Sequence, residues 1–472
     1  MPPLGDGTTP DEDVPPPLDE HAPPDKNGKP KRARRDARSL ARRYIGQFAQ
    51  HPDGVTLRRW RGDWYRWNAT RGSYVAQPDE RIDVELWNTL PLGKRSELAD
   101  IKIALTAVDG VLIDEHELGA WLDGDGSDPI DTAPCANGLL YLPRGQLTPA
   151  TPRYFATSAL GVAYDPSAPT PERWLAFLHQ LWPDSPDSID ALQDWFGYQL
   201  TPDTRQQKVA LLVGPKRSGK GTVGRVLTAL LGGNQNVASP TLASLGTNFG
   251  LWPLIGKPAA IIGDARLGGR SDIAQVVERL LSISGEDSQT IDRKHREPWS
   301  GRLPTRITII SNELPRFTDA SDALPSRMLM LELSESFYGR EDVTLTDALI
   351  AELPGILLWA IEGWRRLRAR GHFVQPAAGQ AAIDELSDLA SPVGAWARQR
   401  CTTDEQDPAR WLDCSSAYED FARWAEQNGH HRPSMHTFGR DVRAATGCHR
   451  RQIRRGMTRV NVYAGLALRS DS

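Results

Sequence analysis

Residues Gly214, Pro215, Lys216, Arg217, Ser218, Gly219, Lys220, Gly221 and Thr222 follow one another with the spacing GxxxxGK, which suits a loop that holds phosphate. Glycines let such a loop wrap with its backbone N–H groups pointing inward, and the N-terminus of a following helix adds partial positive charge. A lysine at the place of Lys220 reaches the β- and γ-phosphates of a nucleoside triphosphate. The surroundings agree, because the apolar run KVALLVG precedes the loop and the helical pattern GTVGRVLTALLG follows it. After the lysine, Gly221 lacks the hydroxyl that usually meets magnesium, and Thr222 stands one residue later. Nucleotide binding is therefore expected to persist, with Thr222 on a phosphate or at the metal and water completing the Mg2+ shell.

Chemistry at a triphosphate needs further groups, and two apolar runs end in them. KPAAIIGD ends at Asp264, whose carboxylate can hold magnesium through water. Ala265 and Arg266 follow it, so the usual catalytic glutamate beside this position is missing and the general base stays open. TRITIISNELP carries Asn312, placed to orient an attacking water or sense the γ-phosphate, with Glu313 beside it as a second contributor. Between these runs, QTIDRKHREPWSGRLP gathers Arg293, Lys294, His295 and Arg296 in a short loop. Its cations can pair with successive phosphates of a nucleic acid, and its imidazole can hydrogen-bond or stack on a base or sugar. The preceding stretch DIAQVVERLLSISGED places Ile273, Val276, Val277, Leu280 and Leu281 on one helical face.

In this order the motifs resemble those of the superfamily 3 helicases, in particular the helicase part of phage, plasmid and poxvirus-type primase-helicases, which are similar to hexameric AAA+ ring motors. The resemblance spans about residues 131 to 375 and is weaker as far as 472. It implies that Lys294 and His295 match the channel hairpin that grips single-stranded DNA. It also implies that Arg327, in DASDALPSRMLMLEL, enters the nucleotide site of a neighbouring subunit, with Arg266 a second candidate for that finger. The family further implies a homo-oligomer, as a hexamer, using ATP and Mg2+ on single-stranded and forked DNA during replication initiation of a phage, plasmid or related mobile element. Two other readings stay open. The GKGT form also resembles adenylate-kinase-like loops, which would make the chain a small-molecule kinase. The missing glutamate, for its part, fits an origin-binding initiator whose ATP site only switches assembly. Primer synthesis is not expected, since the roughly 130 residues before the helicase part show no clustered catalytic carboxylates in a strand context.

The elements that must position these groups follow from pattern and punctuation. An α/β, multidomain chain is expected, with a P-loop AAA+ domain on a parallel sheet at residues 201–375, a helical collar at 131–200 and a winged helix at 401–472. Residues 1–40 read as a disordered proline-rich and then basic tail, 41–130 as a small α+β accessory region, and 376–400 as a linker. Asp187 or Ser188 is placed to cap the second collar helix. In the C-terminal region Tyr418, Phe421 and Trp424 share one helical face, and Phe438 and Val442 mark a second helix. Nine arginines against the single acid Asp441 between Arg432 and Arg469 favour a polyanion, with duplex DNA as the expected target.

Composition excludes other classes. The net charge of -4 over 472 residues makes any nucleic-acid surface local. The four cysteines, at 135, 401, 414 and 448, have neither zinc spacing nor a disulfide pattern, which fits a reducing, cytoplasmic setting. The acidic loop LDGDGSDPID departs from a calcium loop at Ser127, Asp128 and Pro134 and reads as a linker. No apolar run is long enough to span a membrane.

Overall fold

The computed structural model describes residues 36–92, 94–263, 273–315, 317, 323–404, 407, 410–430, 432–456 and 458–469. Asp264 and Arg266 lie outside the described residues, as does the expected tail up to residue 35. The chain forms two compact units, one of residues 36–67 and 75–115, the other of residues 68–74 and 116 onward.

In the first unit, the Asp36 carboxylate accepts from the N–H groups of Arg38 and Ser39 and so starts helix α1 (Ala37–Phe48). Its buried Tyr44 and Ile45 meet Leu57 and Trp64 of the antiparallel strands β1 (Leu57–Trp60) and β2 (Asp63–Asn68). Helices α2 (Asp79–Thr89) and α3 (Arg95–Thr106) add Ile82, Leu86, Ile101 and Leu105 to the same core.

The second unit opens on an antiparallel sheet of β3 (Thr132–Cys135), β4 (Gly138–Tyr141) and β5 (Gln146–Thr148). Residues 131–200 are therefore not helical throughout, which corrects the collar expectation. Turns at residues 136–137 and 142–145 break NGLLYLPRGQLT into segments too short for a helix, and they pair instead. Helices α4 (Glu172–Leu181) and α5 (Pro186–Tyr198) follow. Pro186 takes the first helical position of α5, so Ser185 is the cap residue and Asp187 lies inside the first turn, accepting from Ser185 Oγ and Ser188 N–H.

The centre is a parallel five-stranded sheet of β6 (Val209–Val213), β7 (Val237–Ala238), β8 (Ala259–Gly263), β11 (Arg306–Ser311) and β12 (Met328–Glu332), in the order β7-β8-β11-β6-β12. Every residue of β6 is buried, as a strand covered on both faces requires. Helix α6 (Lys220–Leu230) follows the loop after β6. Helix α7 (Ile273–Ser284) and the antiparallel hairpin of β9 (Gln289–Arg293) and β10 (Arg296–Gly301) lie between β8 and β11. On α7, Val276, Val277, Leu280 and Ile283 are buried, whereas Ile273 and Leu281 are half-buried.

Helix α8 (Leu353–Arg370) lies against α5, and the two collar helices complete the sheet's core rather than standing apart from it. Trp174, Phe177, Trp195 and Phe196 share one cluster with Val226, Leu331, Leu357 and Trp364. The backbones of α5 and α8 nearly touch: a Cβ on Gly197 would meet Trp364 N at 2.2 Å, and one on Gly363 would meet Gln193 O at 2.1 Å. A buried charge cluster locks the same pair. The Asp194 carboxylate, 3% exposed, accepts from Arg366 Nε at 2.8 Å and from Arg370 Nη2. Burial pushes its pKa up while the two guanidiniums pull it down. Asp194→Ala leaves both cations without their shared partner, and because they are themselves part-exposed the expected loss is about 2–4 kcal/mol, read from the urea midpoint.

The expected linker at 376–400 is helical instead, as α9 (Gln380–Ala390) and α10 (Pro392–Arg400). Ser391 Oγ accepts from Gly394 N–H at 3.1 Å, Pro392 takes the first helical position, and Val393, Trp396 and Ala397 enter the C-terminal core. That core joins Phe421 and Trp424 of α11 (Cys414–Gln427) to Phe438 and Val442 of α12 (Met435–Thr446), with Tyr418 packed at its edge. Strands β13 (Trp411–Asp413), β14 (Arg450–Arg455) and β15 (Thr458–Ala464) form an antiparallel sheet in the order β13-β15-β14. All four cysteines are buried and unbridged. Among the described residues no helix is long and apolar enough to cross a membrane.

Candidate active site

The loop after β6 is placed by its flanks. Gly219 holds φ 88, and a Cβ there would meet Leu181 Cδ2 at 2.7 Å and Phe177 Cζ at 3.1 Å, so α4 seats directly on the start of α6. Only a residue without a side chain takes both the left-handed backbone and that contact. Lys220, the first residue of α6, is buried, and its Nζ donates to Gly214 O and Pro215 O at 2.7 Å and to Ser218 Oγ at 2.9 Å. Burial holds its pKa below the ordinary 10.5. Among the described residues, no carboxylate pairs with it. A buried ammonium with only neutral oxygens as partners is costly unless an anion comes beside it, so the donor set fits phosphate.

The open cleft at this loop, with a volume of about 440 Å³, is lined by Arg217 to Thr222, Arg225, Asn312 and the segment around Phe337 and Arg340 to Thr346. That volume falls within the roughly 300–1,000 Å³ of ordinary small-molecule sites. Asn312 is brought there by strand register: Val213 lies beside Ser311, so Gly214 and Asn312 leave neighbouring strands at one level. Gly263 ends β8 beside Ile310, on the same edge. Thr222 Oγ1 accepts from Arg225 Nη2 at 3.0 Å, leaving its remaining lone pair for a phosphate or a metal. Glu313 is exposed beside Asn312, and its carbonyl accepts from Ser311 Oγ.

Arg327 is at the other end of the sheet. It closes the short helix Ala323–Arg327 ahead of β12, whose first residue, Met328, lies beside Val209. The five residues of β6 separate that level from Gly214, a span of roughly 17 Å at about 3.3 Å per residue. Its guanidinium Nη1 donates to Leu281 O at 2.5 Å and Ser284 Oγ at 3.1 Å, where it caps the C-terminal end of α7.

The basic cluster is the tip of the β9–β10 hairpin, with Lys294 and His295 in the turn, both exposed, and His295 at φ 61. Ile291 and Trp299, a buried cross-strand pair, anchor its base. Arg296 is exposed, but Arg293 is not, which corrects its grouping with the open cations. It is 6% exposed, and its Nε donates to Glu297 O at 2.9 Å across the hairpin. Alternation along β9 turns Ile291 and Arg293 to the same covered face.

Reading the sequence alone misses the cleft wall at Phe337 and Arg340 to Thr346. The available signal was its position, since a segment leaving the C-terminal end of a strand beside the phosphate loop faces the site in an open parallel sheet.

Comparison with known proteins agrees with this layout. Residues 127–183 match the model described as D5 N terminal like, and they hold the antiparallel sheet and α4. Residues 212–327 match a family of unknown function, DUF5906, spanning the phosphate loop, the basic hairpin, Asn312 and Arg327. Among solved structures, an apo structure of the NrS-1 C-terminal region is 12% identical, with a TM-score of 0.55 over 92% of this chain and 100% of that one. A second, the A form of the same region, is 11% identical with a TM-score of 0.52 over 91% and 100%. At that identity the shared property is the fold.

Proposed function

We propose that the chain is an ATP-driven DNA helicase acting in replication initiation of a phage, plasmid or related mobile element, as a ring, hexameric in the manner of superfamily 3 motors. One observation carries the reading: the phosphate loop and Asn312 meet in a cleft at the C-terminal edge of a parallel sheet, while an exposed Lys294–His295 turn stands on a hairpin in the DUF5906-matching region. The D5 N-terminal-like segment supports the same family. Lys220 and the loop hold the triphosphate, and Asn312 orients water at the γ-phosphate. Mg2+ would be held by Thr222 and by Asp264 through water, and would supply positive charge against that of the triphosphate. The C-terminal helices and hairpin serve as a winged helix on duplex DNA, with Arg443, Arg450, Arg454, Arg455 and Arg459 exposed.

A test follows from the hairpin. Lys294→Ala with His295→Ala is expected to weaken single-stranded DNA binding about 10- to 100-fold and abolish DNA stimulation of turnover, with basal ATPase within about twofold of wild type. DNA-stimulated ATPase and unwinding of a forked duplex are the measurements, and a wild-type protein that assembles yet shows neither defeats the reading. The absence of an acid at Ala265 favours one alternative, an ATP-switched initiator that binds an origin without processive unwinding. It predicts ATP-dependent assembly on duplex DNA with turnover indifferent to forks.

A further inference from the structure

The segment from Leu333 to Thr346 leaves β12, lines the cleft and is fastened to the phosphate loop itself. Leu333 N–H donates to Val213 O at 2.8 Å, Ser336 Oγ to Lys216 O at 2.8 Å, and Phe337 N–H to Arg217 O at 2.9 Å. Farther along, Arg225 of α6 donates to Thr346 Oγ1 at 3.2 Å. The two middle bonds fall on the peptide groups either side of a single residue, Arg217, which holds φ 61. A non-glycine residue stays in that left-handed region only where its surroundings impose it. The Arg217 side chain is 64% exposed and its pairing with Glu341, at 3.4 Å, is open to solvent, so that ion pair contributes little. What holds Arg217 is the pair of backbone-directed bonds.

Their direction matters for an anion. A trans peptide points its N–H opposite to its C=O. With the Lys216 and Arg217 carbonyls turned to the Leu333–Thr346 segment, the N–H groups of Arg217 and Ser218 face away from it. We infer that Ser336 is a positioning residue for triphosphate binding: its hydroxyl, beside the Phe337 N–H, clamps Arg217 in the left-handed conformation that presents the loop's N–H groups to phosphate. This rests on the nucleotide reading of the site.

The experiment measures the Kd of a non-hydrolysable ATP analogue and the steady-state kcat and KM of the full chain. Wild type is first shown to bind the analogue; failure there defeats the nucleotide reading itself. Given wild-type binding, Ser336→Ala is expected to raise Kd and KM about 3- to 12-fold, the range one hydrogen bond commonly supplies, with kcat within about twofold. Ser336→Thr, which keeps the hydroxyl, stays within about twofold of wild type. Arg217→Gly placed on Ser336→Ala is expected to recover most of the lost affinity, because glycine takes the positive φ without the clamp. Unchanged affinity in Ser336→Ala overturns the clamp. So does a loss confined to kcat, or a loss that Arg217→Gly leaves intact.

Discussion

Lys220→Ala is expected to lower ATP turnover about 100- to 1,000-fold, the scale on which removing one preorganised group facing a developing negative charge acts. Lys220 is the only cation of the loop that is buried, at 5% exposed, and its three hydrogen bonds all run to oxygens of the loop itself. A phosphate arriving there meets a charge already stripped of most of its water, where attraction is stronger than at the surface. The variant should fold, since losing three hydrogen bonds is offset by losing the cost of a buried ammonium without a carboxylate partner. Lys220→Met keeps most of the aliphatic stem and gives the same turnover loss if charge is the cause. Steady-state ATPase with matched circular dichroism checks this, and turnover within threefold of wild type would remove Lys220 from the chemistry.

Arg327→Ala is expected to cost about 10³- to 10⁵-fold in turnover of the assembled protein, with ATP affinity nearly unchanged, if the residue supplies a finger to a neighbouring site. The geometry makes the source of that arginine testable. It stands at the entry of β12, roughly 17 Å along the sheet from its own phosphate loop, so it can serve a triphosphate only from another chain. It must also leave, or share, its bonds to Leu281 O and Ser284 Oγ. Mixing Lys220→Ala chains with Arg327→Ala chains should therefore restore part of the turnover, because some interfaces then hold an intact lysine facing an intact arginine. If mixing restores nothing and Arg327→Ala merely destabilises the fold by about 1 kcal/mol, as loss of a helix cap does, the arginine is structural. Arg327→Lys separates the roles further, since a lysine can meet the helix carbonyls but lacks the forked donors suited to a phosphoryl group.

The phosphate loop was legible because its chemistry is local. Nine consecutive residues run from the end of an apolar strand into a helix, and β6, the loop and α6 stand where that pattern puts them. Asn312 was legible for a related reason: a strand of known polarity delivers the residue just past its end to the sheet edge where the neighbouring strands also end. The basic tip at Lys294 and His295 could be read because three cations and a histidine in a row cannot all be buried, though which cation turns inward depended on strand alternation and on Trp299. The stretch 376–400 reads as a linker from sequence because α9 and α10 are short, and the apolar face of α10 acquires meaning only against the core of Phe421 and Phe438.

By itself, then, the order of residues determined that a glycine-rich loop stands between a strand and a helix, which strand ends carry polar residues, and where cations concentrate, since each depends on neighbours within a few positions. Contacts across long separations settled the rest: Glu352 accepting from the first N–H groups of α4, Ser336 reaching Lys216, the seat of Leu181 on Gly219, and Arg327 bound to the end of α7. No local preference encodes these, because each joins segments far apart in the sequence. Only burial of the shared core brings them within hydrogen-bonding reach.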